Sequence, residues 1–185
     1  SFDRMQQVYN ADLANSWGNL ISRSLNMSAK YFDGCAPARP ADAAAFANPL
    51  AQIAEGLYDR YAACMDKVDY VGAKDAVMEL IHAANHYIED CEPWGLAKDE
   101  AKHDELAFVI YNLLEAIRIA AHLLAPFMPQ TSAEALRRIA CADEAQCDDL
   151  RAACVWGGLA GGAPVEKGDP LFPRLNMDEI QIDAE

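Results

Sequence analysis

Two asparagines and an arginine recur at four-residue spacing near the start of the chain, at Asn15, Asn19 and Arg23. Residues four apart lie on one face of an α-helix, so these three side chains are expected to line up. The amides both donate and accept hydrogen bonds, and the planar guanidinium is a rigid fork of donors. Such a set can read the edge of a nucleobase, but it fits an interhelical hydrogen-bond network at least as well.

A second candidate is Trp94, which directly follows Pro93 just beyond a predicted helix end. The preceding helix cannot bury the indole by its own packing, because proline ends the helical repeat there. The indole can either fold back onto the rest of the protein or remain available as a stacking platform for an unstacked base.

Signals for catalysis or metal binding are poor. The sequence has no Gly-x-Ser-x-Gly, no His-Glu-x-x-His and no phosphate loop with Gly-Lys-Ser/Thr. His82 and His86 share a helical face, but no convincing third ligand accompanies them. The 6 cysteines form no Cys-x-x-Cys pair and are interpreted as reduced thiols. We therefore expect neither a catalytic residue nor a metal site in this chain.

The composition describes a folded but strongly acidic protein. The chain has 185 residues, of which 52% are apolar, and its formal net charge is −14. This charge argues against binding nucleic acid mainly by neutralising phosphates, although readout of a few unstacked bases remains compatible with it. The sequence contains neither an apolar run of about 18 residues nor a signal-peptide pattern, so we expect a cytoplasmic protein without a membrane partner.

The elements that must position these residues are all helical. Apolar residues recur with helical spacing, and period-2 strands of useful length are absent. The predicted helices span residues 4–29, 48–64, 69–89, 100–125 and 131–140, and the fourth has the widest apolar face. Glycines and prolines dominate from residue 157, which predicts an extended strap over 157–174. The sequence thus predicts an all-α bundle over residues 1–155 and an extended C-terminal tail over 156–185.

Four segments, in order, resemble the anticodon-binding domain of the methionyl-tRNA synthetases, which belong to the class I aminoacyl-tRNA synthetases. They are the helix from Tyr9 to Arg23, the stretch from Asn85 through Trp94 to Lys98, Leu123 to Ser132, and Pro170 to Arg174. The resemblance implies that Asn19, Arg23 and Trp94, with Asn15 beside them, contact the anticodon CAU, chiefly its first base. It also implies the tRNA(Met) anticodon loop as the partner.

The same resemblance implies that this chain is a piece of a larger enzyme. The family's nucleotide-binding motifs are absent, so the parent protein would join methionine to tRNA using ATP in a catalytic domain missing here. ATP with Mg²⁺, and any zinc, would belong to that domain, which would also be a partner of this one. The fragment itself is expected to need no cofactor and to catalyse nothing.

Two other interpretations are compatible with the sequence. The first is the anticodon domain of a sister synthetase for isoleucine, valine, leucine or cysteine, because these share the helical fold. The second is a helical protein-interaction scaffold, which the acidic charge and the glycine- and proline-rich tail would suit. The context of Trp94 and the pair of Asn19 and Arg23 favour methionine.

Overall fold

The computed structural model describes residues 9–172, with side chains from residue 12 onward, and the described chain is an all-α bundle. A π-helical segment, Tyr9–Gly18, leads directly into the first α-helix. The α-helices are α1 (Asn19–Tyr31), α2 (Pro49–Ala54), α3 (Leu57–Asp66), α4 (Tyr70–Cys91), α5 (Pro93–Leu96), α6 (His103–Leu124), α7 (Pro129–Arg138) and α8 (Leu150–Ala153). Short 3₁₀ turns occupy Ala43–Ala45, Glu100–Lys102 and Ala142–Ala145.

Helix α6 is the centre of the bundle, as its wide apolar face predicted. Every residue from Leu106 to Leu124 is buried, and α6 packs against α1, α4 and α7. Among the described residues it is also the one helix long and apolar enough to cross a membrane, but its most apolar window is completely buried within the protein. Its composition is therefore explained by its position in the core.

The predicted start of α2 is confirmed, but the predicted continuous helix over 48–64 is wrong. Asn48 caps α2 by accepting a hydrogen bond from Ala51 N at 3.0 Å, and Pro49 occupies the first helical position. The helix then breaks because Glu55 is extended and Gly56 adopts a φ of 73°. Glycine tolerates this left-handed conformation, so the chain restarts as α3 at a new angle.

Three further boundaries differ from the sequence predictions. The first helix is π-helical up to Gly18, and the part predicted over residues 4–8 lies outside the described residues. Helix α7 begins at Pro129, not at Thr131 or Ser132, because proline is favoured in the first turn, and Ser132 is buried. Pro93 does end α4 but also opens the short helix α5.

Between α8 and residue 172, where the description ends, the chain has no helix, and residues 157–172, which we call the strap, lie on the bundle. The carboxylate of Glu115, fully buried in α6, accepts hydrogen bonds from the backbone N–H groups of residues 157, 158 and 159 at 2.7, 2.9 and 3.0 Å. Glu115 also forms an ion pair with Arg118 at 2.7 Å. The start of the strap is thereby fixed to the central helix.

The remainder of the strap is held at three more places. Its backbone pairs with the loop after α1 through Ala36 N to Ala163 O at 2.9 Å. Arg138 of α7 donates to the carbonyl oxygens of Lys167 and Asp169 at 3.1 and 2.6 Å. Phe172 is buried against Trp17, with ring centroids 5.6 Å apart. Residues 173 and 174 of the predicted strap lie outside the described residues, and the domain boundary at 155 stays a prediction.

Candidate nucleic-acid interface

An open groove of about 500 Å³ runs between the first helix and α4. Its first wall contains three of the four residues singled out from the sequence: Asn15, Asn19 and Arg23. The groove is lined by Asn15, Ser16, Asn19, Arg23, His82, Asn85, His86 and Glu89. Because all of these side chains are polar, the groove offers hydrogen-bond donors and acceptors on both of its walls. We call it the polar groove.

The two walls are joined by polar contacts at three points along the groove. Asp12 forms an ion pair with Lys74 at 2.7 Å, and the hydrogen bond that Lys74 donates to this carboxylate is the main cause of a raised Lys74 pKa. Further along both walls, Asn85 donates to the backbone oxygen of Ser16 at 3.0 Å. This amide thus binds a main-chain acceptor of the π-helical segment and joins that segment to α4.

At the far end of the polar groove, Arg23 forms an ion pair with Glu89 at 2.6 Å. The side chains are 34% and 58% exposed, so water screens their attraction. Exposed pairs of this kind contribute about 0–1 kcal/mol to stability. The contact orients the guanidinium over the groove, and a competing hydrogen-bond acceptor can displace Glu89 at little cost.

Asn15 and Asn19 are both exposed on the same wall. The sequence predicted them on one α-helical face with Arg23, and the three do share the groove although the helix is π-helical as far as Gly18. Asn19 begins the regular α-helix, where the side chain points away from a buried Leu20 and Ile21. The inner side of this wall packs in the core, so the polar residues lie on its outer side.

Trp94 lies outside the lining of the polar groove. It is carried by α5, where Pro93 and Leu96 are buried and anchor the short helix, whereas the indole is 41% exposed. The preceding Glu92 adopts a left-handed φ of 44°, which turns the chain sharply after α4. The structure thus places Trp94 just beyond the end of the helix that supplies Glu89, with its ring accessible to a ligand.

The polar groove is far less acidic than the whole protein. The opposite formal charges of Arg23 and Glu89 cancel, while the chain carries a net charge of −14. His82 and His86 are exposed on the α4 wall, and residues 12–172 contain no cluster of three His, Cys, Asp or Glu side chains able to hold a metal. The local surface can therefore accept a neutral base with its polar edge, in spite of the overall charge.

Sequence reasoning missed Glu89, which is separated from Arg23 by 66 residues. No local pattern marks a glutamate at the end of a helix as the partner of an arginine so distant in the chain. Asn85 was noted only as part of a sequence segment, and its contact with Ser16 likewise depends on the packing of two helices. Both residues can be identified as part of the site only from the packing of the first helix against α4.

Comparison with known proteins agrees with this architecture. Residues 37–183 match the family model of the anticodon binding domain of methionyl tRNA ligase. The methionine–tRNA ligase of Streptococcus pneumoniae is 42% identical over 170 residues, which cover 92% of this chain and 25% of the relative. That of Bacillus subtilis is 38% identical over 172 residues. The chain thus spans about a quarter of the length of these relatives.

Solved structures agree as well. The apo methionyl-tRNA synthetase of Mycobacterium tuberculosis matches with a TM-score of 0.83 and 30% identity, covering 95% of this chain and 35% of that protein. The same enzyme in complex with methionyl-adenylate matches with a TM-score of 0.79 and 32% identity. The family model begins at residue 37, but an alignment covering 92% of this chain must include Asn19 and Arg23.

The all-α bundle and these matches place the chain in the class of helical anticodon-binding domains of aminoacyl-tRNA synthetases. Within that class, it belongs to the family of the anticodon-binding domain of methionyl-tRNA ligases. The relatives named above are methionine enzymes, so they give no support to a sister synthetase for isoleucine, valine, leucine or cysteine.

Proposed function

We propose that this domain recognises the CAU anticodon of tRNA(Met) for a methionine–tRNA ligase that joins methionine to tRNA with ATP. The observation that carries the proposal is the polar groove, in which Asn15, Asn19 and Arg23 lie together on one accessible wall. A catalytic domain of the same polypeptide would hold ATP with Mg²⁺, and any zinc. The proposed setting is the cytoplasm, without a membrane partner.

Recognition would combine hydrogen bonding in the groove with stacking beside it. The Arg23 guanidinium would exchange Glu89 for the polar edge of the first anticodon base, with the Asn19 amide next to it. Hydrogen bonds to charged groups contribute about 1.5–3 kcal/mol, which exceeds the value of an exposed ion pair. The exposed indole of Trp94 would stack on an unstacked base, which accounts for RNA binding by an acidic domain.

Substitution of Trp94 and of Arg23 tests the proposal. Trp94→Ala should weaken binding of a stem-loop with the CAU anticodon about 5- to 150-fold, because base stacking on an aromatic ring is worth about 1–3 kcal/mol. Arg23→Gln should reduce the preference for CAU over GAU more than it changes the salt dependence, because a base contact releases few counterions. Fluorescence anisotropy titrations of the whole 185-residue chain measure both effects.

Matched controls are available elsewhere on the bundle. Arg60 forms an exposed ion pair with Glu79 of α4 at 3.5 Å, so Arg60→Gln removes a comparable pair outside the groove. Tyr70 is an aromatic side chain with 52% exposure, which makes Tyr70→Ala the control for Trp94→Ala. If Trp94→Ala and Arg23→Gln stay folded and bind both loops as their controls do, the proposed site is wrong.

A further inference from the structure

A second and smaller cavity, of about 290 Å³, lies between the first helix and the end of the strap. It is lined by Ala14, Asn15, Gly18, Asn19, Ser22, Pro170, Leu171 and Phe172, and we call it the strap cavity. Asn15 and Asn19 line both this cavity and the polar groove. The two asparagines therefore form a ridge with a recess on each side.

The outer wall of the strap cavity is firmly anchored. Phe172 is 8% exposed and packs on the fully buried Trp17. Gly18 permits this close approach, since a Cβ atom at position 18 would lie 3.3 Å from Cδ2 of the Phe172 ring. Leu171 and Pro170, which precede this anchor, are thereby held opposite the helix as an apolar wall. Phe172 thereby fixes the position of the outer wall of the strap cavity relative to the first helix.

The chemistry of the lining suits a flat heteroaromatic ring with a polar edge. Leu171, Pro170 and Ala14 supply apolar surface for the ring faces, while the asparagine amides and the Ser22 hydroxyl supply donors and acceptors. Among the described residues of the lining no side chain carries a charge, so these residues offer no cation to a phosphate. An unstacked nucleobase fits these properties better than an anionic ligand does.

We propose that the strap cavity receives a second unstacked base of the same anticodon loop, next to the base read in the polar groove. The inference rests on the proposed function, since the two recesses share one ridge of amides. Each asparagine has a carbonyl oxygen and an NH₂ group, so a single ridge can address bases on both of its sides. The strap thus becomes part of the recognition surface in addition to covering the bundle.

Filling the cavity tests this assignment. Ala14→Met and, separately, Ser22→Met add a side chain to the recess without touching Arg23, Glu89 or Trp94. Each should weaken binding of the CAU stem-loop about 5- to 150-fold, the range expected for loss of one well-placed base. Ala29→Met is the matched control, because Ala29 is exposed on the same helix and lines neither recess. Circular dichroism verifies that each variant is folded.

Stem-loops that lack one anticodon base at a time identify the occupant. If the strap cavity holds a base, Ala14→Met should have no further effect on the loop lacking that base and should still weaken the other two. The assignment is overturned if both filled variants bind CAU as Ala29→Met does, or if they weaken all three abasic loops equally. Arg23→Gln is measured in parallel. If it still reduces the preference for CAU over GAU, only the assignment of the strap cavity has failed; if it has no effect, the polar groove has failed as well.

Discussion

The Arg23 side chain combines two properties that rarely occur together on an acidic surface. Its guanidinium is oriented by Glu89 at 2.6 Å, yet the pair is exposed enough to open without a large loss of stability. A planar fork of donors recognises a base edge only when it is held in the right plane. Glu89 therefore has an expected role in recognition through Arg23, although it need not contact the RNA itself.

Replacing Glu89 by glutamine should separate affinity from specificity. The loss of a negative charge beside the groove should strengthen binding of both CAU and GAU loops slightly, by up to about 5-fold. The preference for CAU should fall at the same time, because a neutral amide holds the guanidinium more weakly than a carboxylate does. Anisotropy titrations with both loops measure the ratio, with Glu79→Gln as the control for an exposed glutamate on the same helix. An unchanged ratio would show that Glu89 does not position Arg23.

The cysteines provide an independent check on burial. Burial raises the pKa of both Cys141 and Cys154 to about 12, so almost no thiolate exists at pH 8 and alkylation should be slow. Cys147 is an exposed free thiol in the same region. Mass spectrometry after a short exposure to iodoacetamide should find Cys147 modified well before the other two. Equal labelling of all three in the folded chain would contradict the described packing.

Residue-level chemistry was predictable where it depended on local spacing. The alignment of Asn15, Asn19 and Arg23 on one wall followed from their four-residue intervals. The burial of Trp17 was not predicted, since its neighbours in the sequence are polar and small, and the Phe172 ring that packs on it comes from a distant part of the chain. Contacts between such distant residues depend on tertiary packing, which no local pattern encodes.

At the scale of elements, the start of the strap is fixed to the central helix by the buried carboxylate of Glu115. That side chain is fully buried and accepts three backbone hydrogen bonds, while Arg118 donates to both of its oxygens at 2.9 and 2.7 Å. A buried charge is tolerated only when all of its lone pairs are satisfied. Here the strap supplies the required donors, so the strap and the central helix stabilise each other.

Glu115→Gln should lower the free energy of unfolding by about 3–5 kcal/mol, as observed when one partner of a buried ion pair is removed. The substitution leaves the Arg118 charge without its main partner and turns an acceptor into a donor that faces backbone N–H groups. Urea denaturation followed by circular dichroism measures the change. Glu79→Gln, which removes an exposed pair, should cost less than about 1 kcal/mol. A similarly small loss for Glu115→Gln would mean that the strap is not held by this carboxylate.

Helix starts were predicted better than helix interruptions. Asn48 and Asp69 cap α2 and α4 by accepting hydrogen bonds from Ala51 N and Gly72 N at 3.0 and 2.9 Å, and both starts follow from sequence. The break at Gly56 was missed, because an isolated glycine within a helical pattern is usually tolerated. An extended strap was predicted from the glycines and prolines, but its attachment to Glu115 depends on tertiary structure.

The whole molecule separates its overall charge from the surface proposed to bind RNA. The net charge of −14 disfavours general attraction of an anionic polymer, so affinity must come from contacts at particular bases. The polar groove, the strap cavity and the exposed indole all offer such contacts and contain little net charge. Weak dependence on salt together with strong dependence on the anticodon is the expected behaviour.

The central claim is that this domain recognises the anticodon through contacts to particular bases. Titration of the unaltered 185-residue chain with CAU and GAU stem-loops over a series of salt concentrations tests this claim most directly. The CAU loop should bind about 5- to 150-fold more tightly, the range expected when a base contact worth about 1–3 kcal/mol is lost. The logarithm of its affinity should fall only slightly with the logarithm of salt concentration, since few phosphates are neutralised. Equal binding of the two loops, with a steep loss of affinity for both as salt rises, would contradict recognition of the anticodon by this domain.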